Sequence, residues 1–500
     1  MSANDIQAQR FPDNPSNLKS PASQLRSRLG TIEQRIASLE TQIALLHKER
    51  EQVLGDLAAI SYPVLTLPTE ITSEIFLRYM EKPLRFPGPS PLRLASICRL
   101  WRAIALSTSK LWTHWSQFFD IPTAEVLASR LQCWLPRAGG LPVDLRIKLP
   151  PSPTQESDAI LRILAQHSSR WGNLKMVSSG PISFPADLRG RFSSLTKMAL
   201  DSYPSSEGPS TITAFSDASH LREVSLYNIA LVDWRNSLPW SQLTKLELSF
   251  VTVEECLEML EQTSSLEVLE FFSQLEGQDS VTSPPRILDH LHTIHLGSDC
   301  SHRLLDFLVL PSLAHLHLGL DSECAERVAP LIRRSGCSPR TLGLYIWDPD
   351  FAPILQCISS VPSVRELQMT WVGGTTIEFS QLFKTLAEGP SCLPALESIN
   401  IEDCQTNIHL PSLVQMLRAR TTGKDGVAML TSFRLSFSQD NQHEDAIDFE
   451  QQDKDVELAL DRLGGLRSQG LQVEIQSSVK WFSANIDSKM ITGINTNNRS

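Results

Sequence analysis

Apolar residues first repeat in alternating steps of four and three, from Leu25 to Ile60 of this 500-residue chain. Such a heptad seam is typical of a coiled-coil helix. Arg50 is its only polar position. The eleven seam residues are Leu25, Leu29, Ile32, Ile36, Leu39, Ile43, Leu46, Arg50, Val53, Leu57 and Ile60. We therefore predict a coiled-coil helix over residues 23–61.

The seam leaves two arrangements open. Ile36 and Ile43 fall on one row and Leu39 and Leu46 on the other, a distribution that favours two strands in parallel coiled coils. This arrangement predicts a homodimer through residues 23–61. Because five heptads are near the lower limit for stable pairing, a single amphipathic helix that folds back on its own chain is the alternative.

The second pattern is a block of short helices between Leu67 and Trp112. Leu67-Pro68 marks a helix start, because proline fixes φ and its missing N–H costs nothing in the first helical turn. Apolar residues then recur at helical spacing on both sides of a proline-rich interruption: Ile71, Ile75 and Phe76, and later Leu94, Ile97, Trp101, Ile104 and Ala105. A module this small buries its inner face and leaves an apolar outer face that needs a partner.

The third pattern is a motif of the form L-x-x-L-x-L, which begins at Leu195 and recurs up to Leu313 in steps of 26, 22, 23, 25 and 22 residues. These steps lie in the range of leucine-rich repeats, where a short strand carries the Leu positions and a helix or loose segment returns the chain. Later copies begin at Val364, Leu396 and Leu430. An irregular α/β or helical repeat array of similar period is the main alternative.

Stacked repeats would place equivalent strand residues about 4.8 Å apart on one face. Two acidic residues and two histidines hold the same position in four successive repeats, and aromatic residues follow the last Leu of two strands. The candidates for substrate binding are Glu247, Glu270, His295, His317, Tyr227 and Phe272. A nearby carboxylate would keep an imidazole charged. A solvated strand face with chance histidine enrichment is the alternative.

Composition and motif searches exclude several function classes. The formal net charge of −11 argues against nucleic acid or an anionic membrane surface as the main partner. Nine cysteines without a CxxC pair suit a reducing compartment, and no signal-peptide pattern or long apolar run is present. No phosphate loop, zinc-protease motif or nucleophile elbow occurs. We expect a cytoplasmic or nuclear protein that is not an enzyme and has no cofactor or metal site.

The helical block resembles an F-box, in particular those of the F-box-like proteins abundant in mushroom-forming fungi. The motif residues run from Leu67-Pro68-x-Glu70-Ile71 through Ile97-Cys98-Arg99-x-Trp101-Arg102 to Leu111-Trp112. Thr72 departs from the Leu of many F-boxes, and the proline-rich stretch lengthens the first loop. The resemblance implies contact with a Skp-type adaptor through Leu67, Pro68, Glu70, Ile71 and Ile75, around a core of Ile97, Trp101 and Ile104.

The expected fold is α+β and multi-domain. It has a disordered tail (1–22), the coiled-coil helix (23–61), a three-helix F-box (62–117), an irregular leucine-rich-repeat α/β solenoid (118–476) and a second disordered tail (477–500). The resemblance implies a substrate-receptor subunit of a cullin-RING ubiquitin ligase, with adaptor and cullin as partners and an unidentified protein substrate. The alternative is a non-catalytic coiled-coil and repeat scaffold without a ligase adaptor.

Overall fold

The structure is a computed structural model that describes most of the chain. The described residues are 21–59, 63–81, 89–117, 123–149, 154–202, 209–272, 284–297, 299–347, 350–372, 379–388, 392–404, 410–421, 427–437, 465–466 and 470–476. The predicted tails, apart from residues 21 and 22, lie outside this set. Contacts divide the chain into two units, residues 1–105 and 106–500.

Among its described residues, the first unit contains four α-helices, the last of which crosses the division. They are α1 (Pro21–Ala59), α2 (Thr69–Met80), α3 (Pro91–Ile97) and α4 (Arg99–Ser107). The predicted long N-terminal helix is confirmed, and it begins at a proline, whose fixed φ suits a first helical position. Ile60 lies outside the described residues.

Helices α2 to α4 pack around one aromatic contact. The rings of Phe76 and Trp101 meet edge to face with centroids 5.0 Å apart, and Phe76 is fully buried. Ser90 caps α3 by accepting a hydrogen bond from the backbone N–H of Leu92. Arg102 Nε donates to the carbonyl of Ala95 at 2.9 Å and so joins α4 to α3.

The single helical period from Leu94 to Ala105 predicted Ile97 as a core residue, but in the structure Ile97 is exposed. Its side chain is 61% exposed, whereas Leu94 and Ile104 are buried. The cause is Cys98, whose extended backbone (φ −152°, ψ 170°) ends α3 before α4 begins. The break shifts the phase of the second helix, so that residues spaced seven apart no longer share one face.

The second unit contains a parallel sheet of fourteen described strands. They are β1 (His114–Gln117), β2 (Val143–Lys148), β3 (Trp171–Ser178), β4 (Lys197–Ser202), β5 (Glu223–Tyr227), β6 (Lys245–Ser249), β7 (Val268–Phe272), β9 (Thr293–Leu296), β11 (His315–Leu320), β12 (Thr341–Ile346), β13 (Glu366–Trp371), β14 (Ser398–Cys404), β15 (Ser432–Phe437) and β16 (Gln472–Gln476). They pair in chain order and do not close into a barrel. Short strands β8 (Arg286–Ile287) and β10 (Leu308–Val309) pair separately.

The leucines of the repeat motif form the interior behind this sheet. Around β6, for example, Leu243 just before the strand and Leu246 and Leu248 within it are fully buried, whereas Lys245 and Glu247 lie on the opposite face. Successive side chains of a strand point to opposite faces, so the leucines and the polar residues separate cleanly. Each turn of the chain therefore adds one strand and one layer of leucines.

Helical segments return the chain between strands. The α-helices are α5 (Ala124–Trp134), α6 (Thr154–Ala165), α7 (Val253–Leu260), α8 (Ser322–Ser335), α9 (Ala352–Ser360), α10 (Ser380–Glu388) and α11 (Leu410–Thr421). The 3₁₀ helices are Pro63–Thr66 in the first unit and Ser109–Trp112, Leu135–Ala138, Ser168–Arg170, Ala186–Leu188, Thr213–Phe215, Trp234–Asn236, Trp240–Gln242 and Asp299–Phe307 in the second. No helix among the described residues is long and apolar enough to cross a membrane.

Arginines tie successive turns of the second unit together. The buried Arg420 donates from Nε to the carbonyl of Leu386 at 2.7 Å and from Nη1 to that of Leu393 at 2.8 Å. Arg334 donates from Nε to the carbonyl of Leu308 at 2.7 Å. These carbonyls lie 26 to 34 residues earlier in the chain, so each guanidinium satisfies backbone groups of the preceding turn.

Candidate functional site

Two surfaces hold the residues that the sequence singled out, one in each unit. In the first unit, three exposed apolar residues follow one another at steps of four, with Leu67 just ahead of α2 and Ile71 and Ile75 within it. Leu67 is 36% exposed, Ile71 is 51% exposed and Ile75 is 46% exposed. Ile71 and Ile75 lie four apart and so on one helix face, and together with Leu67 ahead of the helix they leave an apolar strip open to solvent.

The other residues of α2 show why this strip faces outward. Thr72 is buried, and both its backbone N–H (3.0 Å) and its hydroxyl (3.1 Å) donate to the carbonyl of Pro68. Phe76, four residues later, is also buried. Thr72 and Phe76 thus define the inner face of α2. Pro68 and Glu70 are exposed at the start of the helix, where a carboxylate is favoured by the helix dipole.

In the second unit, the four polar candidates lie side by side on adjacent strands. The pairing places Glu247 opposite Glu270, Glu270 opposite His295, and His295 opposite His317. Each alternates along its strand with buried leucine, isoleucine or phenylalanine residues, so all four project from the face opposite the interior. We call this row of Glu247, Glu270, His295 and His317 the polar row.

The two glutamates of the polar row already have partners. Ser225 Oγ donates to Glu247 Oε2 at 2.8 Å, and Lys245 Nζ lies 2.6 Å from Glu270 Oε1. Burial lowers the pKa of Lys245, but the hydrogen bond and ion pair with Glu270 outweigh it and raise that pKa overall. The lysine therefore stays charged and offsets part of the negative charge that a basic partner would meet.

The two histidines form a stacked pair. The rings of His295 and His317 lie 4.0 Å apart between centroids, with 30° between their planes. The His317 ring also extends over Gly343 of the next strand, where a Cβ would lie only 2.1 Å from its Nδ1. The absence of a side chain at Gly343 thus leaves the space that this ring occupies.

Both imidazoles are neutral at pH 7, contrary to the expectation that a nearby carboxylate would keep them charged. Burial, and to a smaller extent the neighbouring His295, lowers the pKa of His317 to about 4. Burial also lowers the pKa of His295, against the opposing effect of Glu270. Desolvation of the imidazolium thus exceeds the attraction of a carboxylate that is already paired with Lys245.

The aromatic candidates border the polar row. Burial and then a hydrogen bond to Glu247 raise the pKa of Tyr227 above its ordinary value, so its phenol stays protonated. Phe272 is partly exposed, and its ring lies over Gly297, where a Cβ would come within 2.9 Å of Cδ1. Tyrosine and phenylalanine beside desolvated polar groups are common anchors of protein interfaces.

Sequence reasoning missed Lys245, Gly297 and Gly343. Lys245 lies two residues before Glu247 and therefore on the same strand face. The alternation of side chains along a strand could have identified it. The glycines gave no such signal, because their role depends on how rings from the preceding strand lean across them. No group of three or more His, Cys, Asp or Glu side chains within the described ranges could hold a metal ion.

No protein-family model matches the chain, and no curated protein matches it.

Proposed function

We propose that the chain is a substrate-receptor subunit of a cullin-RING ubiquitin ligase. The helical module of α2 to α4 acts as an F-box that binds a Skp-type adaptor, and the sheet of the second unit is a leucine-rich-repeat solenoid that binds a protein substrate. The observation that carries the proposal is the exposed strip of Leu67, just ahead of α2, and of Ile71 and Ile75 on the helix, because apolar side chains left in water together need a partner.

The polar face of the second unit supports substrate binding. A parallel sheet built from repeats presents an extended surface of side chains, and repeat proteins use such surfaces to bind partners. Around the polar row, charged groups stand next to Tyr227 and Phe272, which supply apolar contact area. Ubiquitin transfer would occur on other subunits, and this chain would act by holding substrate lysines near the charged carrier.

Adaptor binding tests the proposal directly. Replacing Leu67 and Pro68 with alanine removes apolar contact and loosens the start of α2, so affinity for a purified Skp-type adaptor should fall at least tenfold, or about 1.4 kcal/mol. Val126→Ala is the matched control, because Val126 on α5 is an apolar residue of similar exposure, 42% against 36% for Leu67. Titration calorimetry with the full chain would measure both. An unmodified chain that does not bind the adaptor, or a double variant that binds equally well, refutes the ligase proposal.

A coiled-coil scaffold without an adaptor is the second candidate, and the exposed seam of α1 favours it. The two candidates differ in what accompanies the tagged chain from its own cells. Adaptor and cullin should copurify with a substrate receptor, and should be lost together when Leu67 and Pro68 are replaced. A scaffold would keep the same partners after that change.

A further inference from the structure

The apolar seam of α1 is a long uncovered surface. Nine of its apolar side chains are 48 to 65% exposed: Leu25, Leu29, Ile32, Ile36, Leu39, Ile43, Leu46, Val53 and Leu57. They follow the length of a continuous 39-residue helix. Exposed apolar surface of this extent marks an interface. The charges beside the seam indicate what covers it.

The residues that flank one side of the seam are positively charged in its first half and negatively charged in its second half. Arg28 and Arg35 occupy this flank in the first half of α1, and Glu49 and Asp56 occupy it in the second half, all at multiples of seven residues. Gln42 lies at the midpoint. A helix with one basic end and one acidic end on the same flank is complementary to a reversed copy of itself, since flanking charges select partner and orientation in coiled coils.

An antiparallel alignment fills every core layer between Leu25 and Leu57. Leu29 then faces Val53 of the second copy, Ile36 faces Leu46, and Ile43 faces Leu39. In this alignment, Arg28 lies beside Asp56 of the second copy and Arg35 beside Glu49. The two-fold symmetry doubles both contacts. One contact is unfavourable, because Glu40 meets the Glu40 of the second copy at the solvent-exposed edge.

A parallel alignment also pairs opposite charges beside the seam, with Arg28 next to Glu33 and Arg35 next to Glu40. The surroundings of Arg50 therefore decide between the parallel and the antiparallel alignment. In a parallel pair in register, Arg50 faces Arg50 in one core layer and places two like charges in apolar surroundings. In the antiparallel pair, Arg50 faces Ile32 and lies near Glu33 of the second copy. The Arg50 of the second copy lies 18 residues away along the axis, about 27 Å at 1.5 Å per residue. That distance exceeds the screening length of roughly 8 Å in physiological salt.

We propose that α1 pairs with α1 of a second copy of this chain in an antiparallel two-helix coiled coil, with Leu29 opposite Val53. The two Leu57 residues would then be 32 residues apart along the axis, or about 48 Å. The remainder of each copy therefore leaves from the opposite end of the rod. This proposal is independent of adaptor binding, because it concerns only residues of α1.

Cysteine cross-linking of the full chain determines the orientation. In a background with Cys98→Ser and Cys133→Ser, which removes two cysteines that are not buried, single variants Leu29→Cys and Val53→Cys are made with tags of different size. Under mild oxidation, the mixed pair should form a disulfide-linked heterodimer, and Leu29→Cys alone should form none. Efficient linking of Leu29→Cys to itself indicates a parallel pair and overturns the proposal.

Self-association provides the second test. Sedimentation equilibrium at micromolar concentration should give twice the mass of one chain, and Ile43→Lys should give a monomer, because a charge in the apolar seam has no partner. Arg28→Glu with Arg35→Glu should weaken association at least tenfold, and adding Glu49→Arg with Asp56→Arg should restore it. Adding Glu33→Arg with Glu40→Arg is the matched control, which should not restore it. A monomeric unmodified chain, as expected if α1 binds a different protein, or rescue by the control pair instead, overturns the proposal.

Discussion

Replacing Gly343 with alanine should destabilise the chain, although the same substitution in a strand usually stabilises it. Glycine in a strand interior ordinarily costs about 0.5 to 1 kcal/mol relative to alanine, because the unfolded chain loses more freedom. Here an added Cβ would lie 2.1 Å from Nδ1 of His317 and 2.9 Å from its Cγ and Cε1. The imidazole would have to move by more than 1 Å to restore ordinary contact.

The His317 ring has little room to move. On the side of the preceding strand it stacks on His295 with centroids 4.0 Å apart. A shift away from residue 343 therefore breaks this stack or compresses it. Overpacking of this kind costs typically 1 to 3 kcal/mol, which exceeds the entropic gain. We expect Gly343→Ala to lower the free energy of unfolding by about 1 to 2 kcal/mol.

A double-mutant cycle isolates the contact. In a His317→Ala background the clash is absent, so Gly343→Ala should stabilise the chain by about 0.5 kcal/mol, which gives a coupling of roughly 2 kcal/mol. Urea titrations followed by circular dichroism would measure the midpoints, and an unchanged slope would show that compactness is unaffected. Gly140→Ala is the control, since nothing lies within 4 Å of its Cβ position. Equal destabilisation in both backgrounds would refute the proposed contact between residue 343 and His317.

Two further predictions concern pH and the buried arginine. Because burial lowers the pKa of His317 from 6.5 to about 4, the unfolded chain takes up a proton between these pH values that the folded chain does not. The free energy of unfolding should therefore fall by roughly 2 kcal/mol as pH is lowered through that window, after an allowance for partial exposure, and His317→Gln should remove this part of the dependence in urea titrations. Arg420→Met deprives buried carbonyls of a charged donor and should cost about 3 kcal/mol. Arg418→Met, at an exposed position of the same helix, should cost less than about 0.5 kcal/mol.

The sequence predicted those elements whose residues repeat at a fixed spacing. The seam of α1 and the motif around Leu243, Leu246 and Leu248 both repeat in this way, and the structure has a helix and a strand at those places. Periodicity reports which face of an element is apolar, and burial of that face determines how the element packs. The register of the polar row followed from the same motif, because residues at the same place in successive copies lie opposite one another on adjacent strands.

Features that depend on a break in period or on a contact between strands were not predictable in this way. The extended backbone at Cys98 interrupts one apparent helical period and exposes Ile97. The ion pair between Lys245 and Glu270 joins residues 25 positions apart, and it changes the charge that the histidines experience. Both depend on local geometry that residue spacing does not encode.

The ionisation of the polar row has a consequence for the partner that it would bind. With Lys245 paired to Glu270 and both imidazoles neutral at pH 7, Glu247 is the less compensated of the two glutamates, because its hydrogen-bond partners are the neutral hydroxyls of Ser225 and Tyr227. A cationic side chain of a substrate would therefore be drawn to Glu247, and the stacked histidines beside Glu270 would offer an uncharged, partly apolar surface. Glu247→Gln should consequently weaken capture of a basic partner because it removes this charge, and Glu270→Gln should weaken capture too, because Lys245 is then left without its partner on the same strand face as Glu247. Quantitative capture from cell extract that is unchanged by Glu247→Gln, or strengthened by Glu270→Gln, would contradict this assignment of charge.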